Sequence, residues 1–470
     1  MRKNFFIVAL LLSLFTLINF ACQKETKDPS SVEEFSSAAN KDHGHLKQTK
    51  EFSSDVVIQW LNLDLDLIRT PAATTPKQAG ERILAYSGIT LYESVVNGMP
   101  AYQSLNGQLT DFPSMPSTEP GRAYHWPTVA NAALAGITRS LFSNTAAANT
   151  QKINDKENQL KTIYAADIDP SIIARSETYG KKVADSVAKW AETDGWNLQN
   201  NAYTPPSPTA QQPWLWIPTA STAPINPHVE LRRLLVHGSD AGATIAPFPT
   251  YSEDQNSEFF KMAKEVYDKV NDVKSGLIND KKNLALYFRD ANDPGFPGYY
   301  GGSGHYISIL SQVISKSGAT LDVAALALAK SGISVNDAFV VGFKIKYAYN
   351  LLRPITYLQK FYPTWSPLFV TPNHPEFPSA HSFHAGGVLA GLADVFGNNF
   401  EFTDNTYANM PTSLGTLHAI TFHSFTELKK AIGDSRVYAG IHYAPSCTKG
   451  IQLGEKVAEN VLSTLRFLKE

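Results

Sequence analysis

The chain has 470 residues, 41 basic and 43 acidic, and a formal net charge of -2. Near neutrality excludes nucleic-acid binding by bulk charge. With 43% hydrophobic and 11% aromatic residues, it is not a disordered chain, and its length suits two or three domains or one large helical body.

Arg2 and Lys3 precede an apolar run from Phe5 to Phe20 and then Ala21-Cys22. The run is too short for a typical membrane span and reads as an export signal. Ala21-Cys22 resembles a bacterial lipoprotein processing site, which implies lipidation of Cys22 and a protein held at the periplasmic face or cell surface. An ordinary signal peptide with a chance cysteine is the alternative. The other cysteine, Cys447, then has no disulfide partner and reads as a small buried thiol. Residues 23–54 are polar, without apolar periodicity, and read as a flexible tether. His43 and His45 within it make a weak metal site.

From Asp55 onward the pattern is helical. Val56, Trp60, Leu63 and Leu67 recur at helical spacing, although 61–67 also alternates and a short strand competes there. Further helices are expected at 79–96, 126–142, 150–165, 170–192, 256–272, 279–290 and 305–317. The series continues at 321–331, 335–351, 380–394, 424–438 and 449–468. Residues 201–228 form a long Pro-, Thr- and Trp-containing loop that either rims a pocket or packs on the surface. The expected fold is all-α, a large helical bundle, divided into an N-terminal helical region (55–334) and a C-terminal one (335–470).

Three short clusters in the last third carry the chemistry. Lys346 and Arg353 are seven residues apart, so on one helix both cations share a face, and Pro354 ends or kinks that helix. Pro378-Ser379-Ala380-His381 opens a helix-like run whose first N–H groups suit an anion. Ser379 adds a hydroxyl, and His381 titrates in the range of a general acid or base. Arg436 closes another helix, with His442 in the turn beyond Gly440; its imidazole could attack phosphorus or ligate a metal oxyanion. Each cluster alone also fits surface cations, an N-cap and loop histidines.

Together, K-x6-R-P, P-S-A-H and S-R-x5-H resemble the signature shared by vanadium-dependent haloperoxidases, bacterial class A acid phosphatases and type 2 phosphatidic-acid phosphatases. The resemblance implies an oxyanion cradle of Lys346, Arg353, Ser379, the Ala380 N–H and Arg436. It makes His381 the acid–base residue and His442 the vanadate ligand or the phosphorylated nucleophile. Two positions depart from it: Ala380 stands where glycine is usual, and Ser446 where phosphatases usually have aspartate. Asp290 or Asp293 is then a candidate carboxylate for His442. His374 and Phe343 fall where haloperoxidases of the family place the halide pocket.

The expected activity is vanadate-dependent oxidation of iodide or bromide by hydrogen peroxide. The alternatives are a cofactor-free phosphomonoesterase with a phosphohistidine intermediate, or a non-enzymatic, nutrient-binding surface lipoprotein. A zinc or iron site using His381 and His384 is a further option, without a third ligand in a recognisable motif.

Overall fold

The long apolar helix α9 (Leu321–Tyr349) packs along residues 80–95, 380–396 and 444–464 in the computed structural model, which describes residues 47–69, 80–244, 247–291, 298–300 and 304–470. These residues lie within one compact unit. By length and composition α9 could cross a membrane, but it is almost entirely buried, and it is apolar all round because it is a core helix. The earlier helices are α1 (Asp55–Arg69), α2 (Gly80–Val95), α3 (Trp126–Leu141), α4 (Ala147–Ala165) and α5 (Pro170–Ala191). Then come α6 (Glu258–Ser275), α7 (Asn279–Tyr287) and α8 (Gly304–Ser317), and beyond α9 a short α10 (Pro354–Leu358). The last three are α11 (Ala380–Phe396), α12 (Phe425–Tyr438) and α13 (Ala444–Thr464). Two short antiparallel pairs, β1 (Phe402–Asp404) with β4 (Ile420–Phe422) and β2 (Pro411–Thr412) with β3 (Gly415–Thr416), lie between α11 and α12. The all-α expectation therefore holds.

Several local expectations are corrected. Residues 61–67 are helical: Leu61, Leu63, Leu65 and Leu67 are all buried, so α1 is covered on most sides and the alternation carries no strand information. The segments expected at 321–331 and 335–351 are one helix, and the boundary drawn at 334/335 falls inside it. Gly332 does not break it. A Cβ there would lie 2.4 Å from the Leu84 carbonyl oxygen, so glycine allows α2 and α9 to touch backbone to backbone. The last helix begins at Ala444, five residues early, because Pro445 fits the first turn.

Residues 47–54, assigned to the tether, pack on the body. Thr49 is buried and donates to the Val95 carbonyl oxygen, while the Lys47 carbonyl oxygen accepts from the Trp126 indole. The leader, Cys22 and the rest of the tether with His43 and His45 lie outside the described residues.

Close approach also fixes α11 against α13. A Cβ on Gly386 would lie 2.3 Å from the Ile451 carbonyl oxygen, and one on Gly454 2.1 Å from that of Phe383. This contact matters because α11 begins beside His381 and α13 begins just after His442.

Candidate active site

The sequence places His442 in the turn between α12 and α13, following Gly440 at φ +82°. Its Nδ1 is 2.8 Å from Glu376 Oε1, and Arg353 Nη1 is 3.0 Å from its Nε2. A guanidinium can only donate, so Nε2 is the acceptor and Nδ1–H donates to Glu376. Burial, with the Arg353, Lys346 and Arg436 charges adding to it, holds the imidazole well below its ordinary pKa. His442 is thus a neutral ring with one nitrogen oriented by a carboxylate and a lone pair on the other. Glu376 is itself fully buried and pushed up to about 7 by burial, against the pull of Arg353 and Lys346 and the hydrogen bond of the Tyr443 N–H.

Lys346 and Arg353 are both 0% exposed and Arg436 is 1% exposed, and none forms an ion pair with a carboxylate among the described residues. Lys346 Nζ donates to the carbonyl oxygens of Pro375, Glu376 and Pro378. Arg353 reaches the carbonyl oxygens of His374, Ile441 and Pro372 as well as the two histidine rings. Arg436 Nη1 donates to the Phe288 carbonyl oxygen, and its Nε has no hydrogen-bond partner among the described residues. Burial lowers Arg353 and Arg436 to about 10 and Lys346 well below its usual value. Three desolvated cations face two carboxylates, Glu376, pushed up to about 7, and Asp290 on the Arg436 side, which also serves His305 and His381; the remaining positive charge is one that a bound anion would offset.

The α11 N-terminus completes the cradle. Ser379 occupies the N-cap position, yet its side chain makes no capping bond, and its buried Oγ has no hydrogen-bond partner among the described residues. The Ala380 N–H opens the helix, where no intrahelical acceptor exists. His381 follows in the first turn, its carbonyl oxygen held by the Tyr306 hydroxyl at 2.9 Å. Its Nε2 faces Asp290 Oδ2 at 3.3 Å, and its side chain is 21% exposed. Burial and then Arg436 lower it to about 4, against the opposing pull of Asp290. A ring with one nitrogen against a carboxylate and its remaining surface open is suited to proton transfer.

All six cluster residues and Ala380 therefore meet in one region, built from α9, α11, α12 and the segments at 350–353, 371–379 and 439–443. One inference about geometry is corrected. Arg353 does not share a helix with Lys346, because Asn350 takes a left-handed conformation (φ +50°) and ends α9; Arg353 then caps α10, with Pro354 in its first turn. The carboxylate of His442 is Glu376 rather than Asp290 or Asp293. Asp290 pairs instead with His305 and His381, and 293 lies outside the described residues. His374 and Phe343 are in edge contact at 5.5 Å between ring centroids, and Arg353 Nη2 lies 3.0 Å from His374 Nδ1. The His384 ring stacks on Phe339 instead of joining His381 around a shared point.

The long loop runs along the segments that carry these groups. The Leu352 N–H donates to the Trp214 carbonyl oxygen and the Trp216 N–H to that of Asn350, while Asn373 binds Thr219 and Thr222. Glu376 and His305 were not picked out from sequence. The one signal for Glu376 was an acidic residue in an otherwise apolar Pro375–Pro378 stretch; for His305 it was a histidine heading the apolar run of α8.

Fold and site together define an all-helical enzyme with a buried cluster of cations and histidines. Residues 326–469 match the family described as the VCPO second helical-bundle domain. The first bacterial vanadium-dependent iodoperoxidase structure is 25% identical with a TM-score of 0.77, covering 89% of this chain and 98% of that one. An apo-type bacterial vanadium-dependent chloroperoxidase (14% identity, TM-score 0.61) covers 88% of this chain and 98% of its own. A holo-type structure (16%, 0.61) covers 85% and 95%. No curated protein matches the chain. The chain has the fold of the bacterial vanadium haloperoxidases, and its C-terminal third is similar to the VCPO second helical-bundle domain, in keeping with the resemblance drawn from the three clusters.

Proposed function

We propose that the chain is a vanadium-dependent haloperoxidase that oxidises iodide or bromide with hydrogen peroxide. The observation that carries this is the neutral, Glu376-oriented His442 ring set among three buried cations that form no ion pair with a carboxylate among the described residues. The donors fit vanadate: a lone pair at His442 Nε2, cationic charge from Lys346, Arg353 and Arg436, a free Ser379 hydroxyl and the Ala380 N–H. Bound vanadate would supply a Lewis-acidic centre that activates peroxide without changing redox state.

The protein's own contribution is charge, orientation and protons. Glu376 fixes the tautomer of His442 and keeps Nε2 available for bonding. Arg353 Nη1 yields that position when an anion takes it, keeping its charge nearby. His381, whose Nε2 faces Asp290, uses Nδ1 to take a proton from incoming peroxide and return it to the departing oxygen; converting halide and peroxide to hypohalous acid and water consumes one further proton, which comes from solvent. Phe343 and His374 wall the side from which halide approaches.

A second reading is a phosphomonoesterase with His442 as nucleophile and His381 protonating the leaving group. Ser446 lacks the carboxylate usual in such phosphatases, but Glu376 supplies one to the same ring nitrogen, and vanadate imitates the phosphoryl-transfer transition state. Incubating the metal-free protein with orthovanadate, then assaying iodide and bromide oxidation beside p-nitrophenyl phosphate hydrolysis, separates the two. Halide oxidation that depends on vanadate is expected. Ester hydrolysis without vanadate, and no halide oxidation with it, would assign the protein to the phosphatases.

We also propose export and lipid anchoring through Cys22, on the support of Arg2, Lys3, the apolar run and Ala21-Cys22. Metabolic labelling with a fatty-acid probe that Cys22→Ser abolishes is the expected result.

A further inference from the structure

Beside the cradle lies a second buried set of charges. His305, in the first turn of α8, is 1% exposed. Its Nδ1 is 2.9 Å from Asp290 Oδ1 and its Nε2 is 2.8 Å from Asp404 Oδ2. The ring stacks on Phe288 at 5.0 Å and meets Tyr407 edge-on at 4.8 Å. Each carboxylate is further held: Tyr407 donates to Asp290 Oδ1, and Thr406 and Gln312 donate to Asp404 Oδ1. The remaining Asp290 oxygen, Oδ2, is the one that faces His381.

Proton bookkeeping follows from this geometry. A carboxylate only accepts, and a neutral imidazole has one N–H, so it satisfies one of two flanking carboxylates and sets a lone pair against the other. An imidazolium satisfies both. We propose that His305 is a positioning residue for His381: a buried imidazolium that bridges Asp290 and Asp404 and so fixes the Asp290 oxygen that orients the His381 ring. This rests on the reading of His381 as the acid–base group.

The surroundings agree. Burial alone would lower His305, but Asp290 and Asp404 raise it to about 10, while both carboxylates are held below their usual range. His381 is faced by Asp290 from the segment after α7, by Arg436 from α12, by His305 from α8 and by His384 from its own helix. The His305 cation opposes protonation of His381, and Asp290 favours it. Removing the two groups therefore has opposite effects on His381, which loss of packing would not produce.

The test is histidine side-chain NMR on the full chain with 15N-labelled imidazoles, without vanadate, from about pH 3 to about pH 8.5, a range that spans the His381 titration near 4. His305 is assigned through its contacts with the Phe288 and Tyr407 rings and by its absence in His305→Gln. The wild-type spectrum therefore decides even if the variant does not fold. Both His305 nitrogens are expected to stay protonated throughout; a neutral tautomer at pH 7 overturns the proposal. The His381 titration is expected to move up by roughly half a unit or more in His305→Gln and down in Asp290→Asn. No movement in either, or movement in one direction in both, also overturns it. None of these readings uses turnover. A chain that oxidises halide with a neutral His305 loses this inference alone, whereas a chain with the expected spectrum and no halide oxidation loses the proposed activity alone.

Discussion

Glu376 Oε1 accepts a hydrogen bond from His442 Nδ1 at 2.8 Å and another from the Tyr443 N–H at 3.0 Å. One carboxylate oxygen thereby fixes both the ring and the backbone of the turn that presents it. Such a partner sets which imidazole nitrogen is free. Glu376→Ala is expected to weaken vanadate binding roughly 10- to 100-fold, measured by equilibrium dialysis, with Glu376→Gln losing less because its amide oxygen still accepts. Unchanged affinity in the alanine variant would remove Glu376 from the site.

Asp64 is 2% exposed on α1, and its only hydrogen bond among the described residues is from Thr138 Oγ1, at 3.4 Å. Burial raises its carboxyl from 3.8 to about 8, against a small opposing effect of Thr138. A folded-state pKa above the unfolded one means that its contribution is complete below about pH 4 and is lost as pH rises towards 8. The loss at pH 7 is on the order of a few kcal/mol. Thermal melts should show wild-type Tm falling across pH 5–8 and Asp64→Asn flattening that slope; parallel slopes would contradict this.

The α11–α13 contact leaves no room for a methyl group at Gly454. Gly454→Ala is expected to destabilise by about 1–3 kcal/mol, as overpacking does. Gly397→Ala is a poor control because its φ is +78°. An alanine at Ser463, exposed near the end of α13, should leave the denaturation midpoint almost unmoved. A Gly454→Ala midpoint equal to the wild type would show that the two helices can separate freely.

Cys447 is 4% exposed, and burial pushes its thiol up to about 12, with Glu376 adding to the effect. Iodoacetamide at pH 8 should leave the folded chain unlabelled and fully active, and label Cys447 once it is unfolded. Rapid labelling of the folded protein with loss of activity would give the thiol a role that its position denies.

Most helices were legible in the sequence because their apolar residues repeat at a helical period over long stretches. The failures have local causes. The segments 321–331 and 335–351 look separate in the sequence because what Gly332 between them is for, close contact with the Leu84 carbonyl oxygen, lies in another helix. Leu61 to Leu67 alternate because α1 is buried on most sides. In the site, cradle residues could be found because their spacing is short and their types are unusual together. Glu376 could not, since it meets His442 across 66 positions. His305 was equally hidden, because its two carboxylates come from 15 residues before it and 99 after it.

The continuity of α9 bears on how this enzyme can be handled and how it changes. Asp337 in its middle anchors the Leu235 and Val236 amides and the Ser239 hydroxyl, and Lys346 two and a half turns later belongs to the cradle. Phe288, Asp290 and His305, which brace Arg436 and His381, precede the helix. A fragment cut at residue 326 would keep every motif residue yet lose the braces that hold two of them. The catalytic portion is therefore not a transplantable module, and substitutions near residues 230–305 are expected to alter chemistry carried out by residues between 346 and 442.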